Sequence, residues 1–375
     1  MTARISRRVL LLAAVGSVAA CTTPKEDTTA ALSPLPAEPE TRMTAAELKP
    51  VSYWAGVYLR GWNYTAEVGL PLSRSADSWD HYELSYTVDA CVAMFRATGE
   101  RRYLDRALQF VENVVASAST MRGGFLGWTS AQEEGDEVPL YESYFWRYGT
   151  ALLVAMRENP SVYANPSYRS RYDRLLSFAE KHIFEKWHSR GPEDTIYRER
   201  THMTAHWALI ASNLSRVTTD AGRKQRYLTV VADVDQHVPG HGGGLRQQMR
   251  RNPVEPTAYF WSDVWGSAAR PGQDVSHGNG VMAYVVEARD RGTTWTKADL
   301  AAFSRLLTRV VWPGGTTYKA YVDGSGNDNG WFSDGFVKLG RSDPGVQQRL
   351  ESHRVVNDQF AANMALNAFI LGARK

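Results

Sequence analysis

Cysteine is nearly absent from this sequence of 375 residues, which contains only Cys21 and Cys91. An excess of one charge is also missing, since 43 Lys and Arg residues face 40 Asp and Glu residues. The apolar run at residues 9–15 is far shorter than the roughly 20 residues that a membrane-spanning helix needs. These shortages argue against a fold held by disulfides, and they leave no basic tract that would indicate nucleic-acid binding.

The N-terminus has the features of an export signal. Three arginines precede the apolar run, and the stretch Val-Ala-Ala-Cys that ends at Cys21 resembles the bacterial lipobox. The resemblance implies that residues 1–20 are a cleaved signal peptide, that Cys21 carries lipid, and that the protein is anchored in the cell envelope. The membrane would be contacted through this anchor alone, at the outer membrane or the periplasmic or extracellular face. An ordinary secretory signal with an incidental cysteine is the alternative.

The rest of the chain divides into a short linker and one large domain. Residues 21–44 are rich in Thr, Pro, Ala and Glu, which predicts a solvated tether. From about residue 45 to 375 the apolar period is helical, and paired helical segments recur about every 60 residues. Removal of the signal arginines leaves a formal net charge of zero. We expect the protein to be a monomer. Cys91 lies in an apolar helical pattern, so we expect it to be a buried, inert thiol.

Long loops rich in Gly and Trp separate these helical pairs, as at residues 123–128 and 241–244. The pattern predicts an all-α fold. Five or six helical hairpins with aromatic loops resemble the incomplete (α/α) toroids of alginate-lyase-like and heparinase-like polysaccharide lyases and of six-hairpin glycosidases. The resemblance implies a central cleft lined by the starts of the inner helices. A solenoid of shorter helical repeats is the structural alternative.

One predicted inner-helix start carries a polar stripe. Arg198, His202 and His206 are spaced four residues apart, so they project from one helical face. Such a stripe is costly to bury without partners, which favours a wet cleft. A structural histidine pair and a metal site are the alternatives, but Met203 follows His202, so the zinc-protease motif is absent. We expect no cofactor.

A second stretch, residues 276–280, begins another predicted helix. The glycines on either side of Asn279 would let a substrate approach the backbone, and free amides at a helix start favour a carboxylate. A simple capping turn is the alternative.

Elimination across a uronic acid needs a cation or amide for the carboxylate, a base for the C5 proton and an acid for the leaving oxygen. Similar lyases use Asn, His, Arg and Tyr for these roles. The sequence therefore predicts a lyase of uronate-containing polysaccharides, with Arg200 and Asn279 neutralising the carboxylate, His206 or His277 as base and Tyr259 as acid. The predicted substrate-binding residues are Asn279, His202, Arg198, His81, Tyr82, Tyr148 and Trp265.

Two other functions fit the same sequence. A glycoside hydrolase would use a pair of carboxylates, drawn from Asp80, Glu83, Glu142, Asp263, Asp274 and Asp334. A glycan-binding lipoprotein without turnover would use the abundant aromatic residues, 12 Trp and 18 Tyr, to stack on sugars. Acidic and amide residues between Asp323 and Asp334 approach the spacing of a calcium loop, although a polar turn explains them equally.

Overall fold

The computed structural model describes residues 47–190, 196–289, 293–354 and 357–373. The predicted signal peptide at 1–20, the tether at 21–44 and the lipidated Cys21 lie outside these residues. All described residues belong to one compact unit. None of the described helices is long and apolar enough to cross a membrane.

The described residues are mainly helical, which confirms the all-α prediction. Two antiparallel two-stranded ladders are small additions, and they pair β1 (Ser119–Thr120) with β2 (Leu126–Gly127) and β3 (Arg250–Arg251) with β4 (Tyr259–Phe260). The α-helices are α1 (Val51–Leu59), α2 (Trp62–Ser73), α3 (Ser78–Thr98), α4 (Arg101–Ala116), α5 (Pro139–Glu158), α6 (Pro160–Tyr163), α7 (Pro166–Phe178), α8 (Lys186–His188), α9 (Thr201–Val217), α10 (Ala221–Gln236), α11 (Leu245–Gln248), α12 (Val275–Arg289), α13 (Lys297–Arg305), α14 (Pro344–Glu351) and α15 (Asp358–Ala373). Short 3₁₀ helices lie at Arg122–Gly124, Ala131–Glu133 and Phe336–Arg341, and π-helical turns at Ala179–Glu185 and Leu306–Val311.

Contacts between helices follow a cycle. Helix α3 packs against α5, α5 against α9, and α9 against α12. The 3₁₀ helix Phe336–Arg341 packs against both α12 and α15, and α15 packs against α3. We call α3, α5, α9, α12 and α15 the inner helices. Helix α4 packs mainly against α3, α10 packs against α9, and α14 packs against α15 and the 3₁₀ helix Phe336–Arg341. A toroid requires such a cyclic order, and the toroid itself stays a prediction.

The sequence explains the different surroundings of these helices. Helix α5 is buried nearly all round, because apolar and aromatic residues occur on every side of it. Helix α4 buries Leu104, Leu108 and Val111 on one face and exposes Asp105 and Gln109 on the other. An amphipathic helix of this kind covers a core on one side only.

The ends of α3 show how local residues set the helix boundaries. Asp77 caps the start, where its carboxylate accepts a hydrogen bond of 2.9 Å from the backbone N–H of Trp79. Gly99 ends the helix with φ of 73°, a left-handed conformation that glycine adopts without strain. The chain then turns directly into α4. Cys91, farther along α3, is buried as predicted.

Candidate active site

Six aromatic and imidazole rings connect the first two turns of four inner helices. Their centroids are separated in turn by 5.1, 4.1, 4.8, 6.2 and 4.5 Å. Because each ring contacts the next, the starts of α3, α5, α9 and α12 must lie beside one another. We call this set the ring row, and its members in order are Trp79, Tyr82, Tyr144, His206, His202 and His277.

His277 ends the ring row in a hydrogen-bonded pair with Asp274. The Asp274 carboxylate accepts the backbone N–H of His277 at 2.9 Å and lies 2.8 Å from Nδ1 of its ring. The side-chain amide of Gln273 donates to the same carboxylate at 3.0 Å. Because Nδ1 faces Asp274, Nε2 is the ring nitrogen left for proton exchange with a substrate. The His277 side chain is 52% exposed, so a substrate can reach it.

The pKa values of His277 and its neighbour His202 are shifted in opposite directions. The hydrogen bond and charge of Asp274 raise the pKa of His277, and Asp263 contributes in the same direction. His202 stacks on His277 at 4.5 Å, but burial and the nearby His277 lower the pKa of His202 to about 3. The neutral His202 ring therefore packs against the ionisable His277 ring. Only one imidazole of the pair is suited to proton transfer near neutral pH.

His206 does not reach the solvent, which corrects its predicted role as a base. The side chain is buried, and its Nδ1 lies 3.5 Å from the Ser143 hydroxyl. Gly280 packs directly against its Nε2, so a side chain at that position would collide with the imidazole. Burial lowers the pKa of His206 well below its ordinary value. We therefore assign His206 to packing.

Arg200 is the cation next to the histidines. It precedes α9, is 42% exposed and forms a 2.7 Å ion pair with Asp263. Arg198 contributes through its backbone, because its carbonyl accepts the indole N–H of Trp265 at 2.8 Å and the Thr204 hydroxyl at 2.9 Å. Trp265 is itself buried, so it fixes the turn before α9.

Tyr259 does not join this group, which corrects its predicted role as the acid. Its hydroxyl donates to Asp299 of α13 at 2.9 Å, and its ring packs against Phe303 of the same helix. Tyr86 of α3 is closer to the ring row, because its hydroxyl lies 3.2 Å from that of Tyr144. Tyr86 was not among the predicted site residues, although its spacing of four residues from Tyr82 places both on one helix face.

Asn279 holds backbone segments together, which corrects its predicted contact with a carboxylate. Its side-chain oxygen accepts the backbone N–H groups of Gly335 at 2.8 Å and Phe336 at 3.1 Å. Its amide nitrogen donates to the Trp331 carbonyl at 3.1 Å and to two carbonyls of its own helix. The amide therefore has no capacity left for a substrate.

His81 and Tyr148, two further predicted binding residues, are also buried. The His81 ring lies 3.0 Å from the Ser75 carbonyl through Nε2 and packs edge-on against Trp128. Burial lowers the pKa of His81 to about 4. Tyr148 donates its hydroxyl to Asp334. Both side chains therefore stabilise the fold and do not line an open surface.

Asp334 is the centre of a buried polar cluster that was not predicted from the sequence. Arg147 pairs with its carboxylate at 2.6 Å, and Tyr144 donates to the same oxygen at 3.2 Å. The Gln359 amide joins Asp334 to Asp89, which pairs with Lys338 at 2.9 Å. The Tyr144 hydroxyl also lies 3.2 Å from that of Tyr86, and either oxygen of this second pair can be the donor. The cluster thereby positions two hydroxyl groups at the ring row.

The carboxylates needed by the hydrolase alternative are mostly engaged. Glu142 is buried and contacts Lys186 at 2.5 Å and the Trp187 indole at 2.8 Å. Asp334 is buried in the cluster described above, and Asp274 is bound to His277 and Gln273. Asp80, Glu83 and Asp263 are the remaining candidates, and all three are partly exposed, although Asp263 pairs with Arg200.

The carboxylates at the two ends of the predicted calcium loop, Asp323 and Asp334, bind different protein groups. Asp323 accepts hydrogen bonds from Ser325 and pairs with Arg270 at 2.8 Å, whereas Asp334 binds Arg147. Within the described ranges no group of three or more His, Cys, Asp or Glu residues could hold a metal ion. Calcium stays an untested alternative.

Comparison with models of known protein families gave no match, and comparison with curated proteins gave none either.

Proposed function

We propose that this protein cleaves a uronate-containing polysaccharide by β-elimination. The observation that carries the proposal is the Asp274–His277 pair, which places one accessible, ionisable imidazole at the end of the ring row. The half-buried rings of Trp79 and Tyr82 at the other end of the row suit a sugar polymer, because pyranose faces stack on aromatic side chains. The cyclic order of helix contacts supports the further proposal that the domain is an (α/α) toroid.

Three side chains divide the chemistry. Arg200 binds the uronate carboxylate, which makes the C5 proton more acidic. His277, in its neutral form, takes that proton on Nε2, and the resulting imidazolium is stabilised by Asp274. The C4–O bond breaks as the C4=C5 double bond forms. Tyr86 gives its hydroxyl proton to the departing oxygen, and solvent restores that proton after the product leaves.

Position favours Tyr86 as the acid, whereas its raised pKa makes it a weaker proton donor than a free tyrosine. Burial, together with the neighbouring Tyr82, raises the pKa of Tyr86 well above its ordinary value. Its hydroxyl therefore keeps a proton at neutral pH. The hydrogen bond to Tyr144, which Asp334 orients in turn, fixes the position of the oxygen. Tyr259 has the same functional group, but its hydroxyl is bound to Asp299 of α13, which is not one of the inner helices.

Anchoring in the cell envelope through Cys21 remains part of the proposal. It rests on the lipobox-like sequence, and it would place the enzyme next to extracellular or periplasmic glycans. Polysaccharide would then be the partner, with the membrane contacted through lipid alone.

The direct test incubates the purified domain with a panel of polyuronates and follows the ultraviolet absorbance of unsaturated products. We expect the absorbance to rise. Tyr86→Phe and His277→Gln should lower kcat by about 10²- to 10⁴-fold, the usual contribution of a proton-transfer group. Tyr259→Phe is the matched control and should retain activity. New reducing ends without unsaturated product would show that the reaction is hydrolysis and not elimination. Asp80, Glu83 and Asp263 would then be the candidate catalytic carboxylates.

A further inference from the structure

The end of the ring row opposite His277 is a rigid aromatic surface. Trp79 and Tyr82 stack with ring centroids 5.1 Å apart and an angle of only 7° between their planes. Tyr141 packs edge-on against both rings at 5.2 and 5.7 Å. The Tyr141 hydroxyl donates to Glu133 at 3.1 Å, which fixes this third ring. We call Trp79, Tyr82 and Tyr141 the aromatic platform.

Hydrogen bonds join the two segments around the platform, namely the start of α3 and the stretch before α5. Asp77, which caps α3, also accepts the backbone N–H of Ala131 at 3.1 Å. The backbone N–H of Ser78 donates to the Thr129 carbonyl at 2.9 Å. The segment around residues 129–136 is therefore attached to the start of α3. Trp79 and Tyr82 are only half-buried, so the platform is in contact with solvent.

Four exposed or partly exposed carboxylates lie at the start of α3 and on the attached segment before α5. Asp80 follows Trp79 directly and is partly exposed, and Glu133 is exposed next to Tyr141. Glu134 and Asp136 lie exposed on the same attached segment. In the parts of the chain that the structure describes, none of these four carboxylates forms a salt bridge. The cation proposed to bind uronate, Arg200, lies at the start of α9, beside His202 and near the other end of the ring row.

We propose that the aromatic platform is a subsite for an uncharged pyranose ring. This inference rests on the proposed function and extends it to the substrate class. The preferred polymer is a heteropolysaccharide in which uncharged sugars accompany uronates, and a homopolymer of uronates binds less well.

Stacking and charge together select this occupant. The C–H face of a pyranose packs on a flat ring, and its hydroxyl groups donate to neighbouring carboxylates such as those of Asp80 and Glu133. A uronate in the same place would set its own carboxylate against theirs, and like charges close together disfavour binding. The Arg200 end has the opposite preference. The two ends therefore select different sugars of one chain.

The decisive experiment measures equilibrium binding by calorimetry with two probes of equal length, and every protein compared carries His277→Gln so that the probes are not cleaved. One is a hyaluronan octasaccharide, which alternates a uronate with an uncharged amino sugar, and the other is an octagalacturonate. The domain with His277→Gln alone should bind the hyaluronan probe more tightly. Trp79→Ala should weaken that binding about tenfold, which corresponds to the loss of one stacking contact. Trp79→Phe keeps a ring and should retain most of the affinity. Tyr64→Ala removes an aromatic residue that is 56% exposed on α2 and serves as the control.

A second pair of variants tests the effect of charge. Asp80→Asn and Glu133→Gln keep the shape of the site and remove negative charge, so octagalacturonate should bind severalfold more tightly to either variant. A purely structural role for these carboxylates would not change the preference between probes.

The platform and the proposed function can fail separately. Tighter binding of octagalacturonate to the domain with His277→Gln alone, unchanged hyaluronan binding in Trp79→Ala, or no binding of either probe would overturn the platform, even if unsaturated products form. Binding that depends on Trp79 without any unsaturated product would keep the platform and overturn the lyase.

Discussion

The guanidinium of Arg147 lies 2.6 Å from the carboxylate of Asp334, and neither side chain has any exposed surface. The pair joins α5 to the segment before the 3₁₀ helix Phe336–Arg341, and Tyr144 and Tyr148 donate to the same carboxylate. It therefore lies between the hydrophobic core and the proposed acid Tyr86. Its effect on stability and its effect on the site can be measured separately.

Removing one partner should be strongly destabilising. Asp334→Ala leaves the Arg147 charge buried without its counter-ion, which costs about 3–5 kcal/mol of unfolding free energy. Replacing both residues by apolar ones, as in Arg147→Met with Asp334→Leu, should cost less than the two single changes added together. Urea unfolding measures all three. Glu185→Ala, which removes a half-exposed pair with Arg226, is the control and should cost at most about 1 kcal/mol. Equal costs for Asp334→Ala and Glu185→Ala would show that burial does not strengthen the dependence of Arg147 on its partner.

The Asp274–His277 pair predicts a change in the pH dependence of activity. His277 acts as a base only when neutral, and Asp274 raises its pKa. Asp274→Asn should therefore move the acidic limb of the kcat/KM profile to lower pH and reduce kcat, because the base becomes weaker. An NMR titration of the His277 ring should show the same downward shift in the absence of substrate. A limb that stays in place in Asp274→Asn would show that another group controls it.

Buried histidines predict a loss of stability in acid. The pKa of His81 is about 4 in the folded protein and about 6.5 when unfolded. Between these values the unfolded chain takes up a proton that the folded chain does not bind, so stability decreases as the pH falls. His81→Phe should flatten the dependence by about 1.4 kcal/mol per pH unit within this window. Urea unfolding from about pH 6.5 to 4.5 tests this, with His237→Phe at an exposed position as the control. An identical slope in both variants would contradict the prediction.

Two glycines should respond in opposite directions to the same substitution. A Cβ at Gly335 would collide with the backbone of Asn279, so Gly335→Ala must displace the segment that carries Asp334. We expect a loss of at least about 1 kcal/mol, comparable to other overpacked sites. Gly56 is exposed inside α1 with open space around it, so Gly56→Ala should stabilise by about 0.5–1 kcal/mol. Thermal unfolding of both variants shows the difference, and a stable Gly335→Ala would exclude the tight contact.

The sequence by itself determined the elements of the fold. Helical periodicity, the cap at Asp77 and the left-handed Gly99 are local properties, so the first hairpin could be predicted from its own residues. The spacing of His202 from His206 placed both on one helix face for the same reason. Tyr82 and His277 were also selected, because polar and aromatic residues gather where the inner helices begin.

Only the tertiary structure decided which of these groups reach a substrate. His206 and Asn279 resemble site residues in sequence, but Gly280 and the segment at 331–336 cover or occupy them. Tyr259 and Tyr86 carry the same hydroxyl group, and one meets Asp299 whereas the other meets Tyr144. Arg147 and Asp334 are separated by 187 residues, so no local pattern could have paired them. Burial, ion pairing and hydrogen-bond partners depend on distant parts of the chain, and periodicity describes only the residue's own helix.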